Sequence, residues 1–383
     1  MKIKMFRDDF TESADNELEL AKLVGLMESD SSWLEQINSQ DIRISAMENL
    51  PLLAEEIGKE VNLSAEIIED TMLNTRLFID LNDGRGRIPL RNTAIKGLLE
   101  TAKINGNALS RITTEEFADI VNTCLKVAKG NSLVLLRNDK VSAVLSDEGN
   151  GYSVLEMSEL LRITGEKLKS RFDDYDFIDG SLSHEFMIAL YSFPKYQAEI
   201  QRLYDELLES ESVYNNDIIP ALKLYTSDVG ICGVTLVPIL ITRRGIAIRI
   251  TDDLKVPHKR GATLEKYEEN VDLVFAKFVD AVTKFAELSS IEIKNPINAM
   301  KMACKKAGLP KKISSEAVDE FSNYIQPGES SNAHDIYLAI NEILFLSKVN
   351  GANAKDLCRL EEMVSRCLHF NWTELDVFGE VQW

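Results

Sequence analysis

Cysteine is scarce and scattered: Cys124, Cys232, Cys304, Cys358 and Cys367 are an odd number with no C-x-x-C pair among 383 residues. That argues against a disulfide framework and fits a reduced compartment. Histidine is scarcer still, and His184, His258, His334 and His369 have none of the helical or ribbon spacings of a zinc site. No phosphate loop, G-x-G-x-x-G turn, H-E-x-x-H or G-x-S-x-G elbow occurs, so no metal, cofactor or enzymatic chemistry is expected. Long apolar runs are missing too. The best, Ile231 to Ile241, is about half of the roughly twenty residues a membrane-spanning helix needs. The opening MKIKMFRDDFTESADNELEL turns acidic where a secretory signal needs an apolar core. A cytoplasmic protein, away from membranes, is expected. Positive charge is outnumbered, 43 Lys and Arg against 62 Asp and Glu for a net −19, which disfavours adhesion to nucleic acid or anionic lipid through bulk charge.

What is present suits a folded body: 45% hydrophobic and 27% charged residues are near globular averages. Residues 1–75 hold seventeen acidic and six basic residues. Asn49 to Lys59 and Ser64 to Leu73 read as capped amphipathic helices of an acidic, helical lead. Residues 76–290 alternate element types. Asn92 to Ile104, Thr113 to Lys129 and Val154 to Lys169 suit helices. Leu133 to Leu145 reads as a hairpin turning at Asn138-Asp139, and Asp179-Gly180 is the turn expected for a second hairpin. In the strand after it, Leu182, His184, Phe186, Ile188 and Leu190 share a face by period-two geometry. That apolar stripe makes His184 a core or edge histidine. Ile218 to Thr226, Cys232 to Ile241 and Gly245 to Thr251 read as strands of an antiparallel sheet. One of its faces packs, and the face carrying Ala247 and Arg249 is free to bind. Ala262 to Ser290 is a long core-facing helix. Residues 291–383 form a helical C-terminal part of four runs, ending in an aromatic tail with Phe370, Trp372, Phe378 and Trp383 that docks on its own chain or on a second copy. The expected fold class is α+β: a central antiparallel sheet built from hairpins with a long packing helix, a helical N-terminal lead and an all-helical C-terminal part.

Three basic islands interrupt the acidic background. Leu81 to Arg111, with Arg85, Arg87 and Arg91, has six basic and two acidic residues; Thr235 to Ala262, with Arg243, Arg244, Arg249, Lys255, Lys259 and Arg260, has the same balance; Lys294 to Lys312 has six basic and no acidic residue. Because salt screens surface charge beyond about 10 Å, gathered cations can hold phosphates on an acidic protein. The second island joins a sheet face, a hairpin tip and the loop VPHKRG, a layout suited to a nucleic-acid backbone, with neighbouring Tyr or Phe available for stacking where exposed. Against this, arginine at hairpin tips also protects edges, and lysine at a helix end complements its dipole.

The segment from Asn107 to Leu161 resembles a phage- and plasmid-borne protein family of unknown function (domain-of-unknown-function 932-like), in which a hairpin ending in a short motif precedes a helix. Ala143, Leu145, Ser146 and Asp147 match, with Ser142 and Glu148-Gly149 where the family carries Arg and Arg-Tyr. Ser227, Asp228, Val229, Gly230 and Pro238 match a second run, and Arg-Arg-Gly stands in place of the family's Cys-Asn-Gly. The likeness spans about residues 75–285 and implies a mobile-element protein acting in a bacterial cytoplasm. With the basic islands it leads to a non-enzymatic single-strand nucleic-acid-binding protein of replication or recombination, an oligomeric annealing factor in one version. Its phosphate contacts would be Arg243, Arg244, Arg249, Lys255, Lys259 and Arg260, with Arg85, Arg87 and Arg91. The alternative is an anti-defence or virion-associated protein engaging other phage or host proteins through acidic and aromatic surfaces. A third reading, an enzyme, would need His184, Asp228 and Ser227 to converge.

Overall fold

The computed structural model describes residues 4–383 apart from 48–55, 57, 58, 60, 61, 107, 147–150, 173, 209–216, 243, 244, 246, 252, 253, 260 and 327. In chain order the first elements are β1 (Thr11–Ala14), α1 (Glu17–Ser29), β2 (Ser31–Asn38), β3 (Arg43–Ala46), α2 (Ala65–Leu73), β4 (Leu77–Asp80), β5 (Arg87–Pro89), α3 (Asn92–Thr101), α4 (Thr114–Leu125), β6 (Asn131–Arg137) and β7 (Lys140–Ser146). There follow α5 (Met157–Phe172), β8 (Asp176–Ser183), β9 (Met187–Ser192), α6 (Pro194–Leu207), β10 (Ile218–Thr226), β11 (Val234–Thr242), β12 (Ala247–Arg249), β13 (Leu254–Val256) and α7 (Leu264–Ala286). The last are β14 (Glu292–Ile293), α8 (Pro296–Ala307), α9 (Lys311–Ser322), β15 (Ser331–Asn332), α10 (Ala333–Val349), α11 (Ala354–Ser365) and α12 (Trp372–Leu375). This is the expected α+β architecture with a central antiparallel sheet.

The central sheet runs β1-β8-β9-β10-β11-β12, with β13 also on β11. One face packs Leu222, Leu224 and Leu236 against Leu20 and Val24 of α1 and Tyr267, Val271 and Val274 of α7. Two smaller sheets, β2-β6-β7 and β3-β4-β5, share a core with α3 and α4 through Ile79, Ile88, Leu98, Val121 and Val144. Gly97 is required where α3 crosses β7, since a Cβ there would collide with the Val144 carbonyl oxygen. The β6–β7 hairpin turns at Asn138 and Asp139 with φ of 46° and 59°, the left-handed pair that Asn and Asp tolerate.

Several expectations change in the structure. The lead is not helical throughout: α1 and α2 form, with Ser64 capping α2, but β2 pairs with β6 and β3 with β4. Most of Asn49 to Lys59 lies outside the described residues. Asp179-Gly180 is not a turn. It lies inside β8 beside an irregularity between Phe177 and Asp179, and the chain reverses between Ser183 and Met187. Gly180 is needed there for space, because a Cβ would meet Leu20 and Phe177 at 2.8 Å. The displaced turn splits the expected stripe, so Leu182 faces α1 while Phe186, Ile188 and Leu190 face the other side.

That other side is not free. Cys358 of α11 packs against Phe186, Ala221, Tyr225 and Ile239, and Glu361 from the same helix meets Lys223 at 2.7 Å and Arg249 at 3.3 Å. The helices α8 to α11 join the second half of α7 in one core with Ile248 and Ile250. The aromatic tail docks on its own chain: Trp372 is buried, Trp383 packs against the helical core, and Asp376 accepts the Lys294 and Asn295 backbone N–H groups that open α8. Phe378 remains 92% exposed.

Burial pushes the Glu361 carboxyl up, but Lys223 and Arg249 outweigh it and hold the group below its ordinary range. A depressed carboxylate contributes stability above its unfolded pKa, lost as pH falls through the folded value. Glu361→Gln is expected to cost about 3–5 kcal/mol at pH 7, because it strands buried cations, and to weaken the acid dependence of unfolding. Urea unfolding between pH 7 and pH 3 measures both; an unchanged midpoint would contradict the assignment.

Candidate functional site

The β7 segment with Ala143 and Leu145 and the Ser227 to Gly230 run meet in space. Ala143 and Leu145 of β7 form a small core with Leu135 and Val229, and Trp33, Tyr152 and Ile231 pack on it. Beside this core the Arg137 guanidinium, itself buried, pairs with Asp228 and donates from Nε to Ser31 at 2.9 Å.

Three rings form a ladder on this core. Trp33 and Tyr152 have centroids 5.7 Å apart, and Tyr152 stacks on His258 at 4.9 Å with 12° between planes. Trp33 and Tyr152 are half-buried and His258 is buried. The Tyr152 hydroxyl donates to the Ser227 carbonyl at 3.3 Å; burial, with Asp228 nearby, raises its pKa and keeps it protonated. His258 contacts the Ser153 carbonyl through Nδ1 at 3.1 Å, which requires a proton on Nδ1, and leaves Nε2 to accept from Thr226 at 3.3 Å. Burial lowers its pKa, so the ring is neutral. The next residue, Lys259, is exposed, and its carbonyl accepts from Ser153 Oγ at 2.8 Å. Sequence reading missed Trp33 and Tyr152, which stand 119 positions apart; the expectation of a Tyr or Phe near VPHKRG fits Tyr152 and gave no sign of Trp33.

The nine cations read as phosphate contacts separate. Arg91 and Arg249, expected at phosphates, are instead fully buried, and neither can meet one. Arg91 donates to Ser142 at 3.2 Å and to the Arg7 carbonyl at 3.0 Å and lies 3.5 Å from Asp8; burial lowers it to about 10 despite Asp8, still charged at neutral pH. Arg249 is held by Glu361. Exposed Lys255 pairs with Glu362 at 3.3 Å and exposed Arg85 with Asp83 at 3.3 Å. Arg87 is half-buried on β5, in register with Asp80. Lys259 is exposed, and Arg243, Arg244 and Arg260 lie outside the described residues. In the third island, Lys305, Lys306, Lys311 and Lys312 are exposed on α8 and α9, and Lys306 sits 4.7 Å from the Phe370 ring.

The His184, Asp228 and Ser227 set does not share a described cavity. His184 lines one of about 210 Å³ with Asp8, Ser183 and Glu185, whereas Asp228 is committed to Arg137 and Ser227 Oγ accepts the Ile231 N–H at 3.4 Å. Asp8 and Asp70 enclose the Lys140 ammonium beside Arg91, and His184 donates from Nε2 to the Arg7 carbonyl at 3.0 Å. Among the described residues no group of three or more His, Cys, Asp or Glu could hold a metal ion, and no helix is long and apolar enough to cross a membrane. Comparison with protein-family models, with curated proteins and with solved structures yields no match.

Burial, then Arg91 and Arg137, push His184 down to about 2. Below the ordinary value near 6.5 the unfolded chain takes a proton that the fold refuses, so this histidine lowers stability by about 1.4 kcal/mol per pH unit on acidification. His184→Gln, which retains a donor for the Arg7 carbonyl, is expected to flatten the loss between pH 6.5 and 4.5 in urea unfolding. An unaltered slope would show that His184 protonates in the fold.

Proposed function

We propose that the chain is a non-enzymatic single-strand nucleic-acid-binding protein of a phage or other mobile element, acting in replication or recombination. The observation that carries the reading is the Trp33–Tyr152–His258 ladder ending at Lys259. Aromatic faces accept any base, each stacked base contributing about 1–3 kcal/mol, while neighbouring cations follow the backbone. Lys259 supplies one such cation, and the reading assigns Arg243, Arg244 and Arg260 to the same task from their place in the sequence. Arg91 and Arg249 have no part in it. Bacterial cytoplasmic location and assembly into oligomers belong to the same proposal.

Trp33→Ala and Tyr152→Ala are each expected to weaken binding of a single-stranded oligonucleotide by about 5- to 150-fold. The Lys259→Ala, Arg260→Ala pair should reduce the salt slope of log K by about 1.4, two phosphates at roughly 0.7 each. Fluorescence anisotropy at several salt concentrations reads both. Equal binding to an inert acidic polymer, or full affinity in both aromatic variants, would overturn the reading.

The alternative, a protein-binding phage factor, is favoured by the outer side of α1, where Leu18 is 65% and Leu26 51% exposed within an acidic segment, and by exposed Phe378. Its distinguishing result is retention of a partner protein by the intact chain, lost in Leu18→Ser, Leu26→Ser, with no oligonucleotide binding.

A further inference from the structure

Where α10 and α11 cover the central sheet, the seal is incomplete. A cavity of about 240 Å³ remains between Ile188, Leu190 and Ile239 on the sheet and Leu344 and Leu357 on the helices. At roughly 30 Å³ per water this is the room of about eight waters, enough for a compound of around ten non-hydrogen atoms. Its walls are mainly apolar, but Lys223 and Glu361 also line it. The Lys223 ammonium gives N–H bonds to Glu361 Oε1 at 2.7 Å and Oε2 at 2.8 Å, and an ammonium has three donors. Among the described residues no hydrogen bond engages the third N–H, and the ammonium lies 5.9 Å from the Tyr225 ring centroid. Burial lowers the Lys223 pKa, but Glu361 outweighs it and the group stays charged. Lys348, exposed at the end of α10, lines the same cavity, and no ion pair engages it among the described residues.

We propose that this cavity binds a small monocarboxylate with an apolar body, of the aryl or medium-chain class. The apolar portion fills the slot between sheet and helices, and the carboxylate takes the third Lys223 N–H and the Lys348 ammonium. A single negative charge is specified because Glu361 and Asp179 line the same space and would repel a dianion. The walls come from both the sheet and the C-terminal helices, so occupancy ties the two together. This inference is independent of the nucleic-acid reading.

The test uses the full chain with phenylacetate and octanoate as probes, and phenethyl alcohol, phenethylamine and phenyl phosphate as controls, in thermal melts and calorimetry. At least one carboxylate is expected to raise the melting midpoint by about 2 °C at ten times its Kd, with the controls inactive. Lys348→Ala should weaken that binding about fivefold and leave the ligand-free midpoint unchanged. Leu190→Trp, which fills the slot, should abolish the shift while the melt stays cooperative; if that variant does not fold, Leu357→Phe serves the same purpose from the helix side. No shift with either carboxylate at 10 mM, an equal shift with phenethyl alcohol, or a full shift in the filled variant would overturn the proposal.

Discussion

Glu361 stands between Lys223 and Arg249 where α11 crosses the central sheet, and the position of the C-terminal helices depends on it. Moving charges out of water costs several kcal/mol per ion unless a counter-charge with good geometry accompanies them. The sheet face presents two cations among apolar side chains, and α11 delivers the carboxylate that makes their burial tolerable while Cys358 adds apolar contact. The same solution recurs where Asp8 and Asp70 enclose Lys140 of β7 and Asp8 approaches Arg91, and again at Arg137 with Asp228. In each case residues distant in sequence are joined, so these pairs select one arrangement of the elements at little net gain in stability.

This use of charge explains why part of the basic islands of an acidic chain is turned inward. Cations at Arg91 and Arg249 serve the interior, and Lys255 and Arg85 have carboxylates beside them. The islands also keep exposed positive charge at Lys259 and on α8 and α9. Of these, Lys259 is the one beside an aromatic ladder, which is why the stacking rings carry the functional reading in place of the arginines.

Local chemistry made much of the fold legible. Asn138-Asp139, the Thr113 capping box with Glu116 and the three- and four-residue spacing of Tyr267, Val271, Val274 and Phe278 each specify an element through neighbours in the chain. Asp179-Gly180 misled because a hairpin signal and a close-packing glycine are the same dipeptide; the contact with Leu20 that decides between them is long-range. The site was less legible for the same reason. Whether Arg249 faces solvent depends on a helix more than a hundred positions later, and nothing in the spacing of Trp33, Tyr152 and His258 announces that Tyr152 stacks on His258 with Trp33 tilted beside it.

Photochemical crosslinking bears on the ladder without relying on any variant. A single-stranded oligonucleotide carrying bromodeoxyuridine would be irradiated with the protein and the crosslinked peptides mapped. Base stacking at the ladder requires crosslinks on the peptides containing Trp33 and Tyr152, suppressed by salt; crosslinks confined to the Lys301–Lys312 peptides, or none above the level of an unrelated acidic protein, would contradict it.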